Sequence, residues 1–355
     1  MAAKKTRVLI VDDSALMRQL LSKILGSDPD IEVVGVAADP FYARDKIKAL
    51  EPDVLTLDIE MPRMDGITFL EKLMKGHPMP VVMVSAQTKA HCDITIRALE
   101  LGAVDFVQKP TVSTTEALNA EAATIIEKVK AAGRARVSRA TPTRIAPAPV
   151  SSIRSGKLVA SPNAIIVIGA STGGTEAIRE VLIRLPEETP GIVIVQHMPP
   201  GFTDSFAQRM DQCCKINVRE AKDGDRVMPG LALIAPGGFQ MGIVRRSNGY
   251  HVQVTDAPEV NRHKPSVDYM FDSLAAITGR NVTAAILTGM GADGAKGMRH
   301  LRDLGARTVA QDAATCVVFG MPKEAIAHGG AEFVLPIDQI AGAILDLSCS
   351  GANAA

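Results

Sequence analysis

The sequence predicts an α/β protein built as two doubly wound domains in tandem, and three observations carry that expectation. Short apolar runs alternate with amphipathic segments twice over, across residues 6–122 and again across 161–349. The 355-residue chain is longer than one ordinary hydrophobic core, at a prior of roughly 150 residues per domain. Between the two regions, in the expected linker 123–160, the stretch from Lys128 to Lys157 is rich in Ala, Ser, Pro, Arg and Lys and holds no acidic residue, the composition of a tether.

The first region offers five strands, 7–11, 33–37, 54–57, 81–85 and 104–107, each followed by a helical pattern. Five such units imply a parallel sheet, and in such sheets ligands sit beyond the carboxyl ends of the strands. The polar residues stand at those ends: Asp12 and Asp13 close the first strand, Asp58 the third, Ser85 the fourth, and Lys109 with Pro110 the fifth. Any one of them alone would be an ordinary cap or turn residue; their coincidence at strand ends is what points to a site. Three carboxylates in one place make an oxygen-rich site for Mg²⁺, and a hydroxyl and an ammonium beside them suit an incoming phosphoryl group.

This region resembles the receiver domains of two-component response regulators, with a flavodoxin-like fold. The Asp12-Asp13 pair, the string from Leu57 through Asp58, Ile59, Glu60, Met61, Pro62, Arg63, Met64 and Asp65 to Gly66, then Ser85 and Lys109-Pro110 appear in the order of that family. The resemblance implies that Asp58 accepts a phosphoryl group, that Asp12 and Asp13 hold Mg²⁺ with help from the Glu60 backbone carbonyl, and that Ser85 and Lys109 bind the phosphoryl oxygens. It also places Phe106 at an aromatic switch position. Phosphorylation would add of order 1.5 to 2 negative charges at Asp58, enough to draw Ser85 and Lys109 inward.

In the tether, Arg134, Arg136, Arg139, Arg144 and Arg154 lack interleaved aromatic residues, so a solvated linker is preferred over a nucleic-acid surface. A last helix of the first region is expected to end near Ala132.

The second region offers strands at 164–168, 192–196, 231–234, 283–287, 308–311 and 332–335, a hairpin around Asn248-Gly249, and helices near 175–184, 266–278, 295–303 and 322–327. A mostly parallel sheet follows. With three tyrosines and no tryptophan, aliphatic residues and methionines must fill its core.

The stretch Gly169-Ala170-Ser171-Thr172-Gly173-Gly174, between an apolar run and a helical pattern, fits the strand–turn–helix signature of an exposed serine nucleophile. The same stretch would also cradle a phosphate on free backbone N–H groups or merely turn a tight corner. A nucleophile needs a base and an orienting acid. His197, at the end of an apolar run and before Met198-Pro199-Pro200-Gly201, and Asp293, in a glycine-rich turn after another strand, both fall at carboxyl strand ends and so on one edge of a parallel sheet. His263 is the rival base, in the polar cluster from Asn261 to Asp268 before a helix. The chain order Ser, His, Asp differs from the Ser, Asp, His of α/β-hydrolases.

Taken with Gln196-His197-Met198-Pro199, Ala235-Pro236-Gly237-Gly238, His263-Lys264-Pro265-Ser266-Val267-Asp268, the string from Leu287 to Gly294 and Phe319-Gly320-Met321-Pro322, the serine stretch resembles the protein-glutamate methylesterases of chemotaxis. The resemblance covers nearly the whole chain except the linker. It implies Ser171 as nucleophile, His197 as base and Asp293 as orienting acid, acting on glutamate methyl esters of chemoreceptors with release of methanol. Deamidation of receptor glutamines would follow the same acyl chemistry. It further implies a chemotaxis histidine kinase as phosphoryl donor and an unphosphorylated receiver that covers the esterase cleft. The backbone N–H groups of Thr172 and Gly173 are the expected oxyanion donors, from the turn geometry alone. The esterase reaction is expected to need no cofactor.

The totals agree with this picture. Lysine plus arginine and aspartate plus glutamate each number 39, so no global field draws the molecule to nucleic acid or an anionic membrane. The apolar run 8–11 stops at Asp12-Asp13, too short for a signal peptide, and no segment reaches membrane-spanning length, so no membrane insertion is expected. Five cysteines without CxxC spacing fit a reducing compartment, and a cytoplasmic protein is expected.

Overall fold

A computed structural model describes residues 4–86, 88–110, 115–135, 164–275 and 281–349. The chain divides into two compact units, one ending at Thr143 and one beginning at Arg144. That division, most of the expected tether and the tail from Ser350 to Ala355 lie outside the described residues.

The first unit carries β1 (Thr6–Val11), α1 (Ala15–Gly26), β2 (Ile31–Ala37), α2 (Pro40–Leu50), β3 (Val54–Asp58), α3 (Gly66–Gly76), β4 (Val81–Ser85), α4 (Lys89–Glu100), β5 (Asp105–Gln108) and α5 (Thr115–Gly133). The strands form a parallel sheet in the order β2-β1-β3-β4-β5, as a doubly wound domain requires. Val8, Leu9, Ile10, Leu55, Leu57, Val81, Val82 and Met83 have no exposed surface, because a parallel strand is covered on both faces; hence the unbroken apolar runs. Ser14, Asp39, Asp65 and Thr88 each accept a backbone N–H of the helix that follows, fixing where α1 to α4 begin. Helix α5 continues through Gly133, so residues 123–133 of the expected linker are helical. Ile125, Val129 and Ala132, at helical spacing, are buried, and this stripe holds the helix to the domain although its alanines and lysines read as tether.

The second unit carries β6 (Ile165–Ala170), α6 (Gly174–Leu182), β7 (Gly191–Gln196), α7 (Phe202–Asp211), β8 (Asn217–Glu220), β9 (Leu231–Ile234), β10 (Gln240–Arg246), β11 (Gly249–Thr255), α8 (Val267–Leu274), β12 (Val282–Ile286), α9 (Ala295–Asp303), β13 (Arg307–Gln311), α10 (Met321–Ala327), β14 (Phe333–Leu335) and α11 (Ile337–Cys349). Seven strands form a parallel sheet in the order β14-β13-β12-β6-β7-β9-β8. Strands β10 and β11 pair separately as the expected antiparallel hairpin. Three elements go beyond the expected set: α7, β8 and α11. The sequence winds outward from β6 through β7, then returns to lay β12 on the other side of β6. The edge between β6 and β12 is therefore the switch point, the place where an open α/β sheet leaves a crevice.

No helix among the described residues is long and apolar enough to cross a membrane.

Candidate active site

Ser171 follows β6 directly, at the switch point beside β12 and with the end of β7 on its other side. Its N–H donates to the Thr288 carbonyl at 3.0 Å, and the His197 N–H donates to the Ala170 carbonyl at 3.1 Å, so both neighbouring strand ends are tied to the serine turn. Gly173, with φ 76°, occupies the left-handed region and would bring a Cβ within 2.6 Å of the Val317 Cβ, so glycine is required here. As N-cap of α6 it offers no side chain to the first turn of the helix. Those turn N–H groups and the positive end of the helix dipole face the serine turn.

Asp293 reaches the site from the loop after β12. It is 2 % exposed, and its Oδ2 lies 2.8 Å from His197 Nε2. Four further donors surround it: Asn261 Nδ2 at 2.7 Å, Ser266 Oγ at 2.8 Å and the Asp268 N–H at 3.3 Å on Oδ1, and the Val267 N–H at 2.6 Å on Oδ2. Burial pushes its carboxyl upward, but the hydrogen bond and charge of His197 and the bonds from Asn261 and Val267 outweigh it and hold the group well below the usual carboxylate range. An ionised carboxylate only accepts, so His197 Nε2 carries a proton toward Asp293, and in the neutral ring this leaves the lone pair on Nδ1. Nδ1 is buried without a hydrogen-bond partner. The structure thus joins His197, the expected base, to Asp293, the expected orienting acid, and brings Ser171 to the same strand edge, while no hydrogen bond joins Ser171 to Nδ1.

His263, the rival base, stacks on the His197 ring instead, with centroids 3.7 Å apart and planes 15° from parallel. Residues not singled out as site residues also shape the crevice. Gln196 donates to the Ser171 carbonyl at 2.9 Å, Thr288 Oγ1 donates to the Thr172 carbonyl at 3.0 Å, and Asn261 and Ser266 pin Asp293. Asn261 and Ser266 belong to the polar cluster visible before α8; their target, some thirty residues onward, is set only by the fold.

The first unit gathers its predicted residues at the corresponding switch point, between β1 and β3. Asp12, Asp13 and Asp58 present carboxylate oxygens that all lie within 4.8 Å of one another. Lys109 Nζ is 2.8 Å from Asp58 and 3.9 Å from Asp12 Oδ2. Burial raises the Asp12 carboxyl to about 6, with the neighbouring Asp58 charge adding to the rise, and Asp12 Oδ2 is a buried oxygen with no hydrogen-bond donor. Three hard oxygen donors with an unsatisfied buried oxygen among them fit a divalent cation such as Mg²⁺. Ser85 Oγ accepts from Thr95 Oγ1 at 2.8 Å. Glu60 enters through its backbone, whose N–H donates to Asp58, while its side chain is exposed and 2.9 Å from His91 Nε2. Phe106 is buried.

Comparisons with known proteins assign a family to each unit. Residues 166–344 match the family described as CheB methylesterase, and residues 8–129 match the response regulator receiver domain family. The protein-glutamate methylesterase/protein-glutamine glutaminase 1 of Cupriavidus metallidurans is 52 % identical over 355 residues, covering 100 % of this chain and 99 % of that protein. The corresponding enzyme 2 of Pseudomonas aeruginosa is 53 % identical over 338 residues, 95 % of each chain. The crystal structure of the Thermotoga maritima CheB methylesterase catalytic domain, 41 % identical, covers 53 % of this chain and 100 % of its own with a TM-score of 0.51. With matches running the length of the chain and through both sites, this protein belongs to the CheB methylesterase family.

Proposed function

We propose that the protein hydrolyses methyl esters of glutamate side chains on chemoreceptors and that phosphorylation of Asp58 raises the rate. The observation that carries the esterase reading is the 2.8 Å contact between His197 and a buried, ionised Asp293 at the strand edge that bears Ser171.

Ser171 Oγ attacks the ester carbonyl carbon while His197 Nδ1 takes the hydroxyl proton. Asp293 holds the imidazole in the tautomer that leaves Nδ1 free to accept and stabilises the imidazolium that forms. The oxyanion lies against the N–H groups of Thr172 and Gly173 at the start of α6. The tetrahedral adduct then breaks its bond to the methoxy oxygen, which leaves as methanol with the proton from His197. A water molecule, deprotonated by His197, hydrolyses the acyl-enzyme and frees the glutamate carboxylate and Ser171. With a glutamine side chain the same steps release ammonia, as the names of the bacterial relatives indicate for those proteins.

In the first unit, an Asp58 oxygen attacks the phosphorus of a phosphohistidine on the partner kinase, forming a P–O bond as the P–N bond breaks. Lys109 pairs with the incoming oxygens and Ser85 bonds them after turning from Thr95. Asp12, Asp13 and Asp58, with the Glu60 carbonyl, would hold Mg²⁺, which supplies positive charge to the phosphoryl oxygens.

Methanol release from methylated receptor membranes, with wild type beside Ser171→Ala, tests the esterase reading. Release by wild type and none above background by the variant is expected; full activity in the variant would defeat the nucleophile assignment.

A further inference from the structure

The turn from Val260 to His263 joins no strand to the main sheet and lies outside the serine, histidine and aspartate set, yet two of its side chains end on that set. Val260 and His263 exchange both backbone hydrogen bonds, at 3.1 and 2.9 Å, closing a two-residue turn. Its central residues, Asn261 at φ 53° and Arg262 at φ 65°, are both left-handed, as in a type I′ turn, a conformation that side chains other than glycine and asparagine rarely adopt. Buried Gln240 clamps the loop at both ends: its Nε2 donates to the carbonyls of Pro258 and His263, and its Oε1 accepts the Ser266 N–H. A strained turn held this firmly implies that the positions it delivers matter.

Asn261 Nδ2 lies 2.7 Å from Asp293 Oδ1 and 2.7 Å from Asp268 Oδ2. Each hydrogen of the amide thus serves one of two buried, neighbouring carboxylates. This pins Asp293 by the oxygen that His197 does not use and turns Oδ2 toward Nε2. Two residues on, the His263 ring lies flat on the His197 ring. Stacking fixes the plane of the imidazole, whereas the Asp293 bond alone leaves it free to pivot about that contact.

We infer that this turn positions the general base: Asn261 orients Asp293, and His263 holds the plane of the His197 ring. Both act through other residues and touch no reacting atom. The inference rests on the esterase reading above and extends it.

The test uses the full-length chain, held in one phosphorylation state, with methanol release from methylated receptor membranes followed against substrate concentration and thermal melting measured in parallel. Asn261→Gly keeps the left-handed backbone and removes only the amide; His263→Ala removes the stack; His263→Phe restores a flat ring with no ionisable nitrogen. Asn261→Gly and His263→Ala should each lose about tenfold in kcat with KM within about twofold, since a misaligned base weakens the transition state and not substrate binding. His263→Phe should recover most of the His263→Ala loss. Wild-type kcat in Asn261→Gly and His263→Ala overturns the inference, as does a His263→Phe as slow as His263→Ala, or a loss that follows only the fraction unfolded. A wild type that releases no methanol defeats the esterase reading instead.

Discussion

Asp58 and Asp293 occupy equivalent places in the two units, each in the crevice where the chain reverses its direction across a parallel sheet, and each is almost fully buried, at 1 % and 2 % exposed. Their carboxyl groups nevertheless move in opposite directions. Burial lifts Asp58 even though Lys109 and the N–H groups of Ile59 and Glu60 oppose it, whereas Asp293 ends far below its ordinary value. Burial is the largest single influence on both, so it cannot decide the difference. What differs is the shell: each has a buried acidic neighbour, Asp268 beside Asp293 and Asp12 beside Asp58, but Asp293 is met by five donors, while Asp58 is met by Lys109 and two backbone N–H groups and lies in a cluster of three carboxylates with Asp12 and Asp13. The surplus of donors suits a permanent anion that orients a histidine. The crowding of oxygens suits a carboxylate awaiting a cation and a phosphoryl group.

The sharpest way to break this comparison is to exchange each carboxylate for its amide. Asp293→Asn offers His197 Nε2 an amide that can donate, which favours the tautomer with Nδ1 protonated and removes the base. A loss of the order of 10⁴-fold in kcat is expected in both the phosphorylated and the unphosphorylated protein, by the reasoning that applies to serine triads generally. Asp58→Asn should abolish phosphate incorporation from the kinase and leave a methanol-release rate that no longer responds to it. Measuring both rates with and without the kinase separates the two roles. An Asp293→Asn protein with near wild-type turnover would remove the orienting role, and an Asp58→Asn protein still stimulated by the kinase would remove the phosphoacceptor.

Much of this was legible in the sequence because a parallel strand is largely apolar until it ends, so Asp12, Asp58 and Ser171 stand out as charged or polar residues closing buried runs, and His197 one place after Gln196 does the same. Position on a common edge then follows from the parallel sheet. Strand β8 was hidden because Val218 is its one buried residue, and an edge strand needs little apolar patterning. Helix α7 lay behind Met198-Pro199-Pro200-Gly201, which reads as a break, although Phe202, Phe206 and Met210 are buried at helical spacing. The stripe of Ile340, Ala341, Ile344 and Leu345 that seats α11 is regular and was open to reading. The function of Asn261 was not, since it depends on two left-handed residues in succession and on a partner brought close only by the fold. The same holds for the roles of the two histidines. Sequence offers both His197 and His263 as bases, and the choice rests on which ring nitrogen meets Asp293.

Both units also bring a glycine against the carboxylate's support, and here smaller effects sharpen the comparison. A Cβ on Gly66 would fall 2.0 Å from the Asp58 backbone carbonyl oxygen, so Gly66→Ala must displace the backbone of the proposed phosphoacceptor itself. A Cβ on Gly169 would fall 2.4 Å from Val267 Cγ1, a side chain with no exposed surface, at the start of the helix whose first N–H donates to Asp293. In the first case rigid backbone must give way; in the second a packed side chain and the helix behind it can share the displacement. Gly169→Ala should therefore cost about 1–3 kcal/mol of stability, typical of an overpacked core, and lower the melting temperature by a few degrees for each kcal/mol. The shift of Val267 should also loosen its bond to Asp293 and slow methanol release by much less than Asp293→Asn does. Gly66→Ala should slow phosphate incorporation at Asp58 more than Gly169→Ala slows ester hydrolysis. The reverse ranking, with folded protein in both cases, would mean that the Asp293 shell tolerates displacement less well than the Asp58 backbone, and that donor number confers no robustness on the orienting acid.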